Sequence, residues 1–344
     1  MKTRNTFLAG IICVLLFAAS AHAFSTIYLN DSSTKSGKIK RMSPTAVTIE
    51  VNRIDTDIPQ NEVKWIRFDD EPTGLTAARR FVFDDNFEDA VTELDKIELA
   101  DDDPVVIHQD VAFYRAYVKG KLALGGSGTV TDAGTAMAGF VAKYPSSYHI
   151  YEASEMVGDL LVAMNRAASA EPYYMRLAQT PWDDYKMRAG VAIGRLKLAQ
   201  GQFDDAIKQF NVVLNLQVEG KTADRMRLKA NLGRAVCGAA KGQVDTALVE
   251  INKIIGSASA EDMEIQAQAY NARGNALLKA GKHKEALLAF LHVDVLYAGN
   301  PEAHAEALFN LSRLWKTAKK DERAAKAAEA LRLYYRNSIW AQRL

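Results

Sequence analysis

From about residue 71 to the C-terminus, apolar residues recur every three to four positions, the spacing of helices that bury one stripe. The stretch from Gly194 to Phe210 shows the unit. It reads as two short helices joined at Gly201, with small Gly194 on the first, Ala206 on the second and Phe210 one turn later. Small residues twelve apart recur at Ala78/Ala90, Gly158/Ala170, Gly194/Ala206, Ala235/Ala247, Gly274/Ala286 and Ser312/Ala324. Four positions beyond the second member stand Leu94, Tyr174, Phe210, Ile251, Phe290 and Ala328. From Gly158 the units start 36, 41, 39 and 38 residues apart. The longer gap between Ala78 and Gly158 leaves room for a further, irregular hairpin over residues 104–145, giving about seven helix pairs.

Residues 25–68 alternate instead. Ile27 and Leu29, then Val47, Ile49 and Val51, are separated by polar neighbours, the period of half-buried strands. Turn signals at Asp31-Ser32-Ser33, Ser36-Gly37, Ser43-Pro44 and Pro59 to Asn61 divide them into four or five short strands. The expected organisation is a segment at 1–23, a small antiparallel β-barrel or sheet at 24–70, and helical repeats over 71–344.

Two antiparallel helices approach closely only where a side chain is small, and a large residue one turn later fills the wedge beside the crossing. A lone hairpin leaves an apolar face open, so such units stack into a solenoid. With Tyr270, Ala272, Gly274, Leu277, Gly281, Ala286 and Phe290 in register, residues 71–337 resemble the tetratricopeptide repeat (TPR) family. Two departures stand out: most intervals exceed that family's 34 residues, and its closing Pro is usually missing; in the stretch from Gly194, Lys197 also replaces the usual large apolar residue. The strand spacing over 25–68 resembles SH3-like or Sm-like small barrels. The predicted fold is therefore mainly α, a TPR-like α-α solenoid behind a small β-domain.

The TPR resemblance implies a concave groove, lined by the first helix of each pair, that binds a protein or peptide. Its groove positions fall on Glu155, Asp159, Arg195, Asn271, Asn275, Asn310 and Arg313. Asn275 and Asn310 stand where chaperone-tail-binding members hold a carboxylate, but Asn271 replaces the Lys of that clamp. A second reading uses Lys35, Lys38, Lys40, Arg41 and Arg53 of the β-domain as a polyanion-binding face. Glu50, Asp55, Asp57, Glu62, Asp69 and Asp70 interleave with these cations, which argues against nucleic acid.

Net charge of +1 over 344 residues exerts no global pull on nucleic acid or anionic membrane. Lys2 and Arg4, the apolar run Phe7–Ala19 and the small-x-small sequence Ala21-His22-Ala23 read as an export signal. A periplasmic or secreted protein without a transmembrane span in its mature form follows. A retained anchor is the other reading of the same segment. Cys13 lies within it, so Cys237 is the one thiol left, in an Ala- and Val-rich helix that predicts an inert buried group.

Catalytic patterns are missing. The histidines at 22, 108, 149, 283, 292 and 304 form no metal-binding pair, and no Gly-x-Ser-x-Gly elbow occurs. Asp101 to Asp103 before Pro104 reads as helix capping, and Asp204-Asp205 as first-turn acids. Gly125 to Gly128 lacks the strand and Gly-Lys-Ser/Thr context of a phosphate loop and reads as a flexible connection. No cofactor is expected. Trp315, Leu331, Leu333, Tyr334, Ile339 and Trp340 make the last helices apolar enough to suggest either a homo-oligomer or a helix folding back.

Overall fold

The computed structural model describes residues 24–344, so the proposed export signal lies outside the described residues. Five strands come first: β1 (Ser25–Leu29), β2 (Thr34–Met42), β3 (Ala46–Val51), β4 (Ile54–Pro59) and β5 (Val63–Arg67). They form one antiparallel sheet in the order β4-β3-β2-β1-β5. β2 serves two partners. Its first half pairs with β1 up to Gly37, its second half pairs with β3 from Lys38, and the register shifts between Ile39 and Arg41. Gly37 permits this crossing, because a Cβ there would lie 2.2 Å from the Glu50 carbonyl oxygen. Asn52 and Arg53 both take left-handed φ values, 52° and 64°, which closes the β3–β4 hairpin with a tight two-residue turn.

Fourteen helices follow among the described residues, as seven pairs. They are α1 (Thr73–Phe83), α2 (Phe87–Asp95), α3 (Val105–Leu124), α4 (Val130–Lys143), α5 (Ile150–Ala163), α6 (Ala167–Ala178) and α7 (Asp183–Ala199). Then come α8 (Phe203–Asn215), α9 (Lys221–Ala240), α10 (Val244–Ser257), α11 (Met263–Lys279), α12 (His283–Leu296), α13 (Pro301–Thr317) and α14 (Asp321–Tyr334). The irregular interval between Ala78 and Gly158 holds the α3–α4 pair, as its length requires.

The small-residue spacing has the expected steric origin. A Cβ on Gly158 would lie 2.4 Å from the Tyr174 ring, on Gly194 2.4 Å from the Phe210 ring, and on Gly274 2.6 Å from the Phe290 ring. Phe210 also presses on Gly233 of the next pair, where a Cβ would lie 2.3 Å from Cζ. One ring thus closes its own hairpin and seals the joint to the following one. Lys197, at a position that usually carries a large apolar residue, extends to Glu171 on α6 at 2.8 Å. The pair keeps its charge satisfied.

Sheet and helices share one core. Ile27, Val47, Ile49, Ile58, Ile66 and Phe68 belong to the same buried cluster as Leu75, Ala78, Val111 and Phe113. Beneath them lies a buried polar knot that no sequence motif announced. Arg79 on α1 meets Glu71 at 2.7 Å and Asp110 on α3 at 2.5 Å, and all three side chains are almost wholly buried. Asp110 also accepts from the Tyr148 hydroxyl at 2.8 Å and pairs with His149 Nε2 at 2.9 Å. His149 stacks on Phe113 with ring centroids 3.7 Å apart. Burial disfavours both charges, yet each holds the other charged: the Asp110 carboxyl is lowered and the His149 imidazole raised from their ordinary pKa values. The knot ties the first three helix pairs together. The sheet reaches further along the solenoid, because Tyr185 on α7 donates to Gln60 Oε1 at 2.6 Å.

Two expectations change. Asp103 does not cap α3. Its carboxylate accepts from the Ala100 main-chain N–H at 2.7 Å, and the helix begins after Pro104 without a side-chain cap. The glycine-rich connection between α3 and α4 is docked rather than free. Gly128 accepts from Asn337 Nδ2 at 3.0 Å, and a Cβ on Gly126, at φ 93°, would lie 3.1 Å from the Tyr334 carbonyl oxygen. The second helix pair therefore touches the end of the seventh, and the solenoid curls back on itself.

Candidate functional site

The first helices of successive pairs carry polar residues at helical spacings, and the structure turns these stripes toward one another across the inside of the curl. Glu155 and Asp159 lie one turn apart on α5. Arg188 and Arg195 on α7, Arg225 and Lys229 on α9, Glu264, Asn271 and Asn275 on α11, and Glu302 and Glu306 on α13 complete the lining.

Most of these charges are paired between helices. Glu155 accepts from Arg188, whose Nε stands 3.4 Å from Oε1. Glu264 meets Lys229 at 2.7 Å and Arg225 at 2.8 Å, and Arg225 also holds Asp262 at 2.7 Å. Arg195 reaches across the curl to Glu302 on α13, three pairs away, at 3.4 Å. This contact is long and half exposed, so it contributes little to stability.

Two carboxylates stand apart because their partners are neutral. Asp159 accepts from the Tyr174 hydroxyl at 2.7 Å. Glu306 accepts from Asn275 Nδ2 at 2.8 Å and from Asn271 Nδ2 at 3.1 Å. Burial is the main cause that pushes Asp159 up to about 7, with the like charge of Glu155 adding to it and the Tyr174 bond opposing it. Burial likewise pushes Glu306 up to about 7, with Glu302 adding and the two amide bonds opposing. Asn271 is 2% exposed, spends Nδ2 on Glu306 and on the Ala303 carbonyl at 2.8 Å, and leaves its Oδ1 without a partner among the described residues.

The seven positions taken from the repeat pattern thus divide. Glu155, Asp159, Arg195, Asn271 and Asn275 enter this lining. Asn310 does not present its amide to it: the residue is buried and donates to the Glu306 main-chain oxygen, one turn back on its own helix, at 3.0 Å. Arg313 is exposed and lies over the Phe309 ring, 5.4 Å from its centroid. Glu302 and Glu306 were not selected from sequence, although they sit eight and four positions before Asn310 on one face of α13. Arg188, Glu264, Arg225 and Lys229 were missed in the same way.

The cations of the β-domain are interleaved with acids. Lys40 pairs with Glu50 at 2.5 Å, Arg41 approaches Asp57 at 3.7 Å, and Lys38 stands across the ladder from Glu50. Lys35 and Arg53 are exposed at the ends of β2 and in the β3–β4 turn. The Cys237 thiol is buried, and burial pushes it up to about 11 against the pull of Lys241, which leaves it protonated and inert at neutral pH. No cluster of side chains able to hold a metal ion occurs among the described residues, and no described helix is long and apolar enough to cross a membrane.

No family model matches the sequence, and no curated protein matches it. Solved structures do match. A tetratricopeptide repeat protein from Parabacteroides merdae is similar over 76% of this chain and 91% of its own, at 16% identity and a TM-score of 0.52. A Rap protein in complex with competence and sporulation factor is similar over 78% of this chain and 76% of its own, at 13% identity and a TM-score of 0.54. At these identities the likeness concerns the fold: the helical part is a TPR-like solenoid, preceded by a five-stranded antiparallel sheet.

Proposed function

We propose that the chain is a non-catalytic scaffold that holds a protein or peptide segment inside the curl of its solenoid, and that it does so as an exported, periplasmic or secreted protein. The observation that carries the binding reading is the lining itself. Polar side chains from α5, α7, α9, α11 and α13 meet inside the curl, and two of its carboxylates have no cationic partner among the described residues. A solenoid built only for stability has no need of acids held in that state, whereas a groove that exchanges internal contacts for those of a ligand does. The bound factor of the Rap protein offers a parallel in a solenoid of similar fold. Export rests on the composition of residues 1–23, and a role in bacterial envelope assembly or maintenance is the setting in which such a scaffold would act.

The test is affinity capture from envelope extract with the wild-type chain and with Arg195→Glu and Asn275→Ala. A partner held by the wild type and lost from both variants supports the reading. A partner retained equally by both places binding elsewhere, and salt-sensitive capture by the β-domain face in their stead would favour the polyanion reading.

A further inference from the structure

Inside the groove, charge and hydrogen-bonding capacity do not balance. Glu155, Asp262, Glu264 and Glu302 each touch an Arg or Lys. Among the described residues, Asp159 and Glu306 touch only a tyrosine hydroxyl and two amides. Beside Glu306 the amide of Asn271, 2% exposed, keeps an acceptor oxygen with no donor among those residues. A buried acceptor in that state is unfavourable. The site is therefore short of positive charge and of donors together, and a protonated amine or guanidinium supplies both.

We propose that the groove receives a cationic side chain of its peptide partner, lysine or arginine, between Asp159 on α5 and Glu306 on α13, displacing the open Arg195–Glu302 contact. This rests on the groove-binding reading above. Glu302 stands one turn before Glu306 on α13, and its partner Arg195 belongs to α7, which packs on the α5–α6 pair that carries Asp159. Glu155 on α5 and Tyr174 on α6 also face Asp159, and Asn271 and Asn275 on α11 face Glu306. An incoming cation lets both carboxyls ionise, so binding near pH 7 releases protons to solvent and tightens as pH rises from 6 to 8.

The experiment uses the full chain and four labelled ten-residue peptides: acetylated and rich in Lys-Ala, acetylated and rich in Arg-Ala, acetylated and rich in Glu-Ala, and a neutral Ser-Ala peptide with a free amino terminus. Anisotropy titrations are expected to show saturable binding of the Lys or Arg peptide and none of the Glu peptide. Asp159→Asn and Glu306→Gln should each weaken that binding about tenfold, while Glu250→Gln, exposed on α10, should not change it. Calorimetry in two buffers of different ionisation heat should record proton release that falls in each variant, which a merely structural role would not produce. Binding of the free-terminus peptide alone assigns the site to an amino terminus and overturns the side-chain form of the proposal. Preference for the Glu peptide, failure of the cationic peptides to bind, or equal binding by the variants overturns it outright. Those outcomes leave capture of a partner by the groove intact, so the two readings fail separately.

Discussion

Replacing Gly194 by alanine isolates the contact on which the solenoid is built. Alone in a helix, the change favours folding by about 1 kcal/mol, because alanine is the better helix former. Here the new methyl would stand 2.4 Å from Phe210 Cε1, and the ring cannot retreat, since Gly233 of the next pair lies close behind it. Overpacking of a fixed core costs about 1–3 kcal/mol, and a ring clamped on both sides belongs at the upper end. The net expectation is a loss of about 1–2 kcal/mol. Phe210→Ala alone should cost about 3–5 kcal/mol. In the double variant the clash is gone, so Gly194→Ala should become stabilising by about 1 kcal/mol, and the sign of its effect reverses. Urea denaturation of all four proteins, followed by far-ultraviolet circular dichroism, measures the cycle. A Gly194→Ala that is neutral or stabilising with Phe210 present would refute the account of the twelve-residue spacing.

Other outcomes follow from the same contacts. Asp110→Asn leaves Arg79 and His149 buried without their carboxylate and should cost about 3–5 kcal/mol, read as a lowered urea midpoint; an unchanged midpoint would show that the knot does not hold the first three pairs together. Glu306 has a folded pKa of about 7, above the unfolded value, so its contribution is fully present below about pH 4.3 and is lost as pH rises through 7. Glu306→Gln should accordingly unfold at higher urea than wild type at pH 8.5, by about 1–2 kcal/mol, and show no such gain at pH 4. Asn337→Ala removes the bond to Gly128 and should loosen the curl with little loss of stability, seen as a larger radius of gyration in small-angle scattering; an identical radius would show that this contact does not set the curvature.

Much of the fold was legible because sterics repeat. Gly194, Ala206 and Phe210 recur in kind at fixed offsets, so periodicity gives six hairpins and the length of one interval a seventh, and the bounds of α3 at Val105 and Leu124 follow from Pro104 and the glycines after it. The small strands were legible for the same reason, as Val47 and Ile49 alternate with polar neighbours and point inward. The site was only half legible. Helical spacing places Asp159, Arg195 and Asn275 on a common face, but it is silent on which faces meet across the curl. The Arg195–Glu302 contact spans 107 residues and depends on the summed rotation of three pairs, which no local pattern encodes. The Arg79–Asp110–His149 knot was illegible for a related reason: Arg79 and Asp110 are unremarkable in their helices, His149 lies just before α5, and only tertiary packing buries them together. Asn310 illustrates the converse, a correct helix and a polar residue whose amide bonds its own backbone.

The account stands or falls on where the partner lies. A photo-crosslinking residue placed at Arg195, inside the curl, and another at Val249, 66% exposed on α10, would be activated in cells that produce the full chain. Discrete covalent adducts at Arg195 and none at Val249 are the predicted result. Adducts at Val249 with none at Arg195 would contradict the groove as the working surface of this protein.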